Sequence, residues 1–151
     1  MDNLVKPIEI LLVEDNPGDI CLVENAMKEV DENIHLSVVH DGVEAMDYLH
    51  KRKSYASASI PDLILLDLNI PQKNGPQVLG EIKNDPNFRQ IPVVIFTIST
   101  AENDIYQCYN AHANCYITKP FDIESLIHIL RSLIHFWFNI VTLPPKRNDQ
   151  W

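Results

Sequence analysis

Apolar positions along this chain fall into two kinds of segment that alternate from one end to the other. Short stretches dense in aliphatic residues run from Ile8 to Val13, Ile34 to Val39, Pro61 to Leu66, Ile91 to Thr97 and Cys115 to Thr118. Continuous apolarity over so few residues suits strands buried on both faces of a parallel sheet. Between them, apolar residues recur at helical spacing. Ile20, Val23, Ala26, Met27 and Val30 define one helix, and Val43, Ala45, Met46 and Leu49 a second. Val78, Leu79 and Ile82 define a third, residues 101–111 a weaker fourth, and Ile123, Leu126, Ile127, Leu130, Leu133 and Ile134 a long fifth. Proline, asparagine and glycine punctuate the joints, as in Asn16-Pro17-Gly18 and Asn74-Gly75-Pro76.

Strand and helix alternating through one unit predict a three-layer α/β fold with a parallel sheet. With right-handed crossovers, the expected arrangement is a flavodoxin-like (βα)5 fold with five strands in the order 2-1-3-4-5. One domain is expected over residues 1–139, with a C-terminal extension over 140–151. The tail from Pro144 reads as too polar to pack by itself.

The central run Leu63-Ile64-Leu65-Leu66 ends abruptly in Asp67, and the first strand ends in Glu14-Asp15. In the expected strand order these two ends flank the topological switch point, where ligands bind in open α/β sheets. Three carboxylates in one crevice repel unless a cation balances them. A hard divalent cation such as Mg2+ suits carboxylates together with a main-chain carbonyl, here that of Asn69. Taken singly, each acid is also a plausible helix N-terminal residue beside a favourable dipole. Thr97 and Lys119, at the ends of the fourth and fifth strands, supply a hydroxyl and an ammonium. Together they make a pocket for a phosphoryl group carried by Asp67.

Composition narrows the function class. The chain has 151 residues, 46% of them hydrophobic and 22% charged, which describes an ordinary globular domain. A formal charge of −9 argues against a nucleic-acid surface. Cys21, Cys108 and Cys115 have no metal-ligand spacing and read as incidental thiols of a reducing compartment. No apolar export core precedes Glu9, and Glu124 and Arg131 interrupt the late hydrophobic segment. A cytoplasmic protein without a membrane span is expected.

The motifs then become specific. Leu11-Leu12-Val13-Glu14-Asp15-Asn16, Asp62 to Asn69, Pro71 to Gly75, Pro92 to Thr97 and Tyr116-Ile117-Thr118-Lys119-Pro120-Phe121 resemble the receiver domain of two-component response regulators. The resemblance spans roughly residues 7–136. It implies that Asp67 is the phosphoacceptor and that Glu14, Asp15, Asp67 and the Asn69 carbonyl hold Mg2+. It also implies that Thr97 binds the phosphoryl group, Lys119 pairs with it, and Tyr116 is an aromatic switch residue. The Lys119–Pro120 bond is expected to be cis. Ile98 stands where the family usually has a small residue. It implies a long-lived phosphoryl group or, alternatively, a side chain packed into the fourth helix.

A narrower resemblance links the run His135 to Pro144 and the loop Tyr55 to Ser59 to phytochrome-associated response regulators. It implies a sensor histidine kinase, a phytochrome among them, as phosphodonor, and a homodimer through the last helix and extension. A tail folded back on its own domain is the alternative. The expected function is a phosphoacceptor signalling protein rather than an enzyme. Two other readings stand beside it: a degenerate receiver that only binds partners, and an aspartyl-nucleophile phosphohydrolase. The phosphohydrolase pattern places its nucleophile on the first strand with a second Asp two residues later, whereas here Asn69 follows Asp67.

Overall fold

The computed structural model describes residues 7–146. Five strands, β1 (Ile8–Val13), β2 (Ile34–Val39), β3 (Leu63–Leu66), β4 (Val93–Thr97) and β5 (Cys115–Thr118), form one sheet in the order β2-β1-β3-β4-β5. All four pairings are parallel. The expected order is therefore the observed one.

Helices cover both faces. They are α1 (Pro17–Val30), α2 (Gly42–Leu49), α3 (Gly75–Asn84), α4 (Glu102–Asn110) and α5 (Ile123–His135). Side-chain alternation along the strands divides the core in two. Leu11, Val13, Ile64, Leu66, Val93 and Ile95 pack under α2, α3 and α4. Ile10, Leu12, Leu63, Leu65, Val94 and Phe96 pack under α1 and α5. All four residues of β3 are fully buried, each contributing about 1.5–3 kcal/mol of apolar transfer. This strand is the axis that aims Asp67.

Helix starts follow local chemistry. Asn16 caps α1 through the Asp19 N–H, with Pro17 in the first turn. Asp41 caps α2 through the Glu44 N–H. Asn74 and Gln77 form a reciprocal capping box at α3. In α2 the inward set differs from the expectation: Val43 is largely exposed, while Tyr48 is buried in its place.

Beyond α5 the chain continues as a π-helical turn, Phe136–Ile140, closed by the Val141 N–H donating to the Phe136 carbonyl at 2.9 Å. Trp137 and Phe138 pack partly against the α1/α5 core, whereas Phe136 and Ile140 are exposed. The tail then turns back. Leu143 to Lys146 line a small cavity with Ile60, Pro61, Asp62 and Ile91, below the starts of β3 and β4. Lys146 Nζ donates to the Ile60 carbonyl at 2.7 Å and pairs with Asp62 at 3.1 Å. The expectation that this polar tail would not pack is corrected here: one ammonium finds a carbonyl and a carboxylate waiting for it. Residues 147–151 of the expected extension lie outside the described residues. No helix among the described residues is long and apolar enough to cross a membrane.

Candidate functional site

Backbone hydrogen bonds extend the sheet beyond its last formal ladder positions. The Asp67 N–H donates to Val13 at 3.1 Å, Glu14 to Val39 at 3.0 Å, and Lys119 to Thr97 at 2.7 Å. Consecutive strand ends are thereby held level, and their side chains meet in one crevice. Glu14, Asp67, Thr97 and Lys119 are all buried. For charged residues this is rare unless they are paired.

The pairing runs through one ammonium. Lys119 Nζ donates to Glu14 Oε1 at 2.5 Å, Asp67 Oδ2 at 2.9 Å and Asp19 Oδ2 at 3.0 Å. A lysine has three donor hydrogens, and three carboxylates take them. The electrostatics are uneven. Burial pushes the Glu14 carboxyl up to about 7, with the Asp67 charge adding to the rise and Lys119 opposing it. Burial also acts to raise Asp67, but the Lys119 hydrogen bond and charge, with the Asn69 N–H, outweigh it and hold this carboxyl below its usual value. Burial would lower Lys119, yet its bonds to Glu14 and Asp67 drive it up instead. The Lys119 contacts thus favour the charged form of Asp67, while burial disfavours that of Glu14.

Asp67 Oδ1 accepts the Asn69 N–H at 3.1 Å. The loop that makes this turn is pinned by two close backbone approaches. The Gly75 N–H donates to the Leu68 carbonyl at 3.1 Å, and a Cβ on Gly75 would sit 2.5 Å from Leu68 Cα. At Gly42 a Cβ would fall 1.8 Å from the Lys73 carbonyl oxygen. Only glycine lets these backbones touch.

Thr97 Oγ1 is a buried hydroxyl without a hydrogen-bond partner. An orphan donor beside a buried carboxylate is the kind of group that an incoming oxyanion would satisfy. Tyr116 lies partly buried at the α4 side, its hydroxyl donating to the Ser99 carbonyl at 2.9 Å. Ser99 Oγ in turn donates to Asp104 at 2.6 Å, so the aromatic ring is tied to the loop between β4 and α4.

Asp15, next to the buried Glu14 in the chain, is exposed. Among the described residues no three acidic, His or Cys side chains form a ready-made metal cluster. The reason is geometric: Lys119 fills the space between Glu14 and Asp67. The oxygen donor set, with more buried negative than positive charge, still fits a hard divalent cation once the ammonium yields. Two expectations need correction. The described residues contain no cis peptide bond, so Lys119–Pro120 is trans, the less costly isomer even before proline. Ile98 is 59% exposed rather than packed away under α4.

Asp19 was absent from the expected site. In the sequence it is an ordinary first-turn acid of α1, with no signal of its contact with Lys119.

A family model for the response regulator receiver domain matches residues 10–131. Response regulator Rcp1 of Synechocystis sp. is 41% identical over 138 residues, covering 91% of this chain and 94% of its own. The crystal structure of the phosphorylated cyanobacterial phytochrome response regulator RcpA superposes with a TM-score of 0.87 at 46% identity, covering 92% of this chain and 99% of its own. The Mn2+-bound form of Rcp1 gives 0.83 at 41% identity, covering 92% and 100%.

Proposed function

This chain belongs to the response regulator receiver family, and from that membership we propose that its crevice accepts a phosphoryl group on Asp67. It is a signalling protein, similar over nearly its whole length to regulators that work with histidine kinases. An Asp67 carboxylate oxygen attacks phosphorus in line with the donor. The bond to the donor breaks, its electron pair leaves with the donor imidazole, and Asp67 becomes an acyl phosphate. The observation that supports this reading is geometric: Asp67, at a buried strand end, is bonded to Lys119 at 2.9 Å and to the Asn69 N–H at 3.1 Å, and the buried Thr97 hydroxyl at the end of the next strand has no hydrogen-bond partner.

Glu14, Asp15, Asp67 and the Asn69 carbonyl would hold Mg2+, which supplies charge neutralisation for the transferring phosphoryl group when bound. Thr97 Oγ1 donates to a phosphoryl oxygen, and Lys119 Nζ pairs with another. As Thr97 and its loop draw toward the phosphate, the Ser99 carbonyl moves and takes the Tyr116 hydroxyl with it. That remodels the face made by α4, β5 and α5. The donor is a phosphohistidine of a sensor kinase, and the likeness to RcpA points to a kinase of the phytochrome type.

Incubation with Mg2+ and acetyl phosphate, read by intact mass, tests the proposal. Wild type should gain one acid-labile phosphoryl group and Asp67→Asn none. Equal phosphorylation of both proteins would reject Asp67 as the acceptor, and none on wild type would leave the binding-only reading in its place.

A second copy of the chain is the proposed partner at the β5 edge. Ile117, Ile129, Leu133, Phe136 and Trp137 line an open groove of about 740 Å³ there, with Phe136 and Ile140 exposed beside it. Apolar patches of this kind mark interfaces, and a two-fold pairing would cover both copies at once. Sedimentation velocity should show a concentration-dependent dimer that Phe136→Glu abolishes. A monomer at every concentration, phosphorylated or not, would remove the dimer.

A further inference from the structure

We propose that Asp19 is a positioning residue for the phosphorylation site: it receives the Lys119 ammonium when a divalent cation claims Glu14 and Asp67. The inference rests on the function proposed above and adds a residue to it.

The argument begins with the three bonds of Lys119. Two of its carboxylate partners, Glu14 and Asp67, belong to the proposed metal set; the third, Asp19, does not. A cation entering the crevice must take oxygens that the ammonium now holds. Lys119 itself is 8% exposed, so it cannot retire into water without its own rearrangement. An ammonium stripped of its counter-charges in a buried place is heavily penalised. Asp19 lies on α1, at the solvent edge of the crevice, with its side chain 35% exposed. It thus holds Lys119 at 3.0 Å while standing outside the proposed metal set.

The local structure makes Asp19 a fixed anchor rather than a wandering surface acid. Its N–H is held by the Asn16 side chain at 3.0 Å in the cap of α1. The Ile20 N–H then starts the helix by donating to the Asn16 carbonyl at 3.0 Å. Capping fixes the backbone of this turn, and the turn aims the carboxylate at Lys119. In the resting protein the ammonium sits among three acids. With the cation in place it swings to Asp19, still within reach of a phosphoryl oxygen arriving on Asp67. Without Asp19 it stays on Glu14 and Asp67 and competes with the cation.

The test is Mg2+ affinity of the full chain by isothermal titration calorimetry, with no phosphodonor present. Asp19→Asn should weaken Mg2+ binding about five-fold, and Asp19→Glu should restore it to within about two-fold of wild type. Glu24→Gln removes an equal charge from an exposed position on the same helix, and should change the affinity by less than about two-fold. Thermal melts without metal separate folding from binding, since a purely structural role would move the melt and leave the affinity unchanged. Unchanged or tighter Mg2+ binding by Asp19→Asn, or an equal loss in Glu24→Gln, would overturn the proposal. Mg2+ binding and phosphorylation of wild type distinguish the two readings. If wild type shows neither, the function falls; if it shows both and Asp19→Asn behaves as wild type, only the role of Asp19 falls.

Discussion

Lys119→Met is expected to lower folding stability by about 3–5 kcal/mol in the absence of metal, and Mg2+ is expected to return much of it. Among the described residues the ammonium is the one positive group bonded to both Glu14 and Asp67, which are 2% and 6% exposed. Methionine keeps the length and apolar stem of lysine but leaves two buried carboxylates facing each other. Both are largely removed from water, and repulsion in a medium of low dielectric is strong. A divalent cation that binds the folded crevice and not the unfolded chain stabilises by mass action, and at a hundred times its Kd contributes about 2.7 kcal/mol. Urea unfolding with and without millimolar MgCl2 measures both effects. In wild type the cation must first displace Lys119, so its stabilising effect should be smaller than in Lys119→Met. Wild-type stability of the variant without metal would mean that the three-carboxylate cluster carries little energy.

The second large effect concerns a pair of glycines for which helix propensity alone predicts the same outcome. Exchanging glycine for alanine in a helix is favourable by up to about 1 kcal/mol. Gly80 on α3 meets that expectation, because a Cβ there has nothing within 4 Å. Gly80→Ala should therefore stabilise by about 0.5–1 kcal/mol. Gly42→Ala should do the opposite, by about 3 kcal/mol or more, since its Cβ would lie 1.8 Å from the Lys73 carbonyl oxygen. The atom in the way is backbone, so no rotamer change relieves the clash. Relief requires the loop after β3 to move, and that loop carries Asn69. Phosphorylation by acetyl phosphate should accordingly slow in Gly42→Ala at temperatures where the variant remains folded, and stay unchanged in Gly80→Ala. Denaturant midpoints for both variants, followed by phosphorylation rates, check the two signs together.

Much of the architecture is legible before any coordinates because the chain alternates two hydrophobic periods. Strands β1, β2 and β5 lie where their aliphatic runs place them, and β3 delivers Asp67 as its abrupt polar ending suggests. Strand ends are legible for the same reason: in a parallel sheet, the residue after the apolar run must leave the core at the ligand edge. Side chains that depend on a partner far along the chain are not legible in this way. Asp19 reads as an ordinary first-turn acid on α1, and only the 100-residue separation closed by Lys119 reveals its contact. Adjacent acids also look alike in sequence, yet Glu14 is buried and Asp15 is exposed. The close approaches at Gly42 and Gly75 leave no periodic trace at all. The returning tail is also hidden, because its attachment rests on a single lysine meeting the Ile60 carbonyl and Asp62.

That returning tail sits below the beginnings of β3 and β4, whereas the acidic crevice opens beyond their ends. A parallel strand of four or five residues spans roughly 13–17 Å, enough to place the two surfaces on opposite poles of the molecule. A protein engaged at the crevice therefore leaves the opposite pole unshielded, and one gripping the tail leaves the crevice open to a phosphodonor. Loading and readout need not take turns: the domain has room to be charged by one partner while still in the grasp of another.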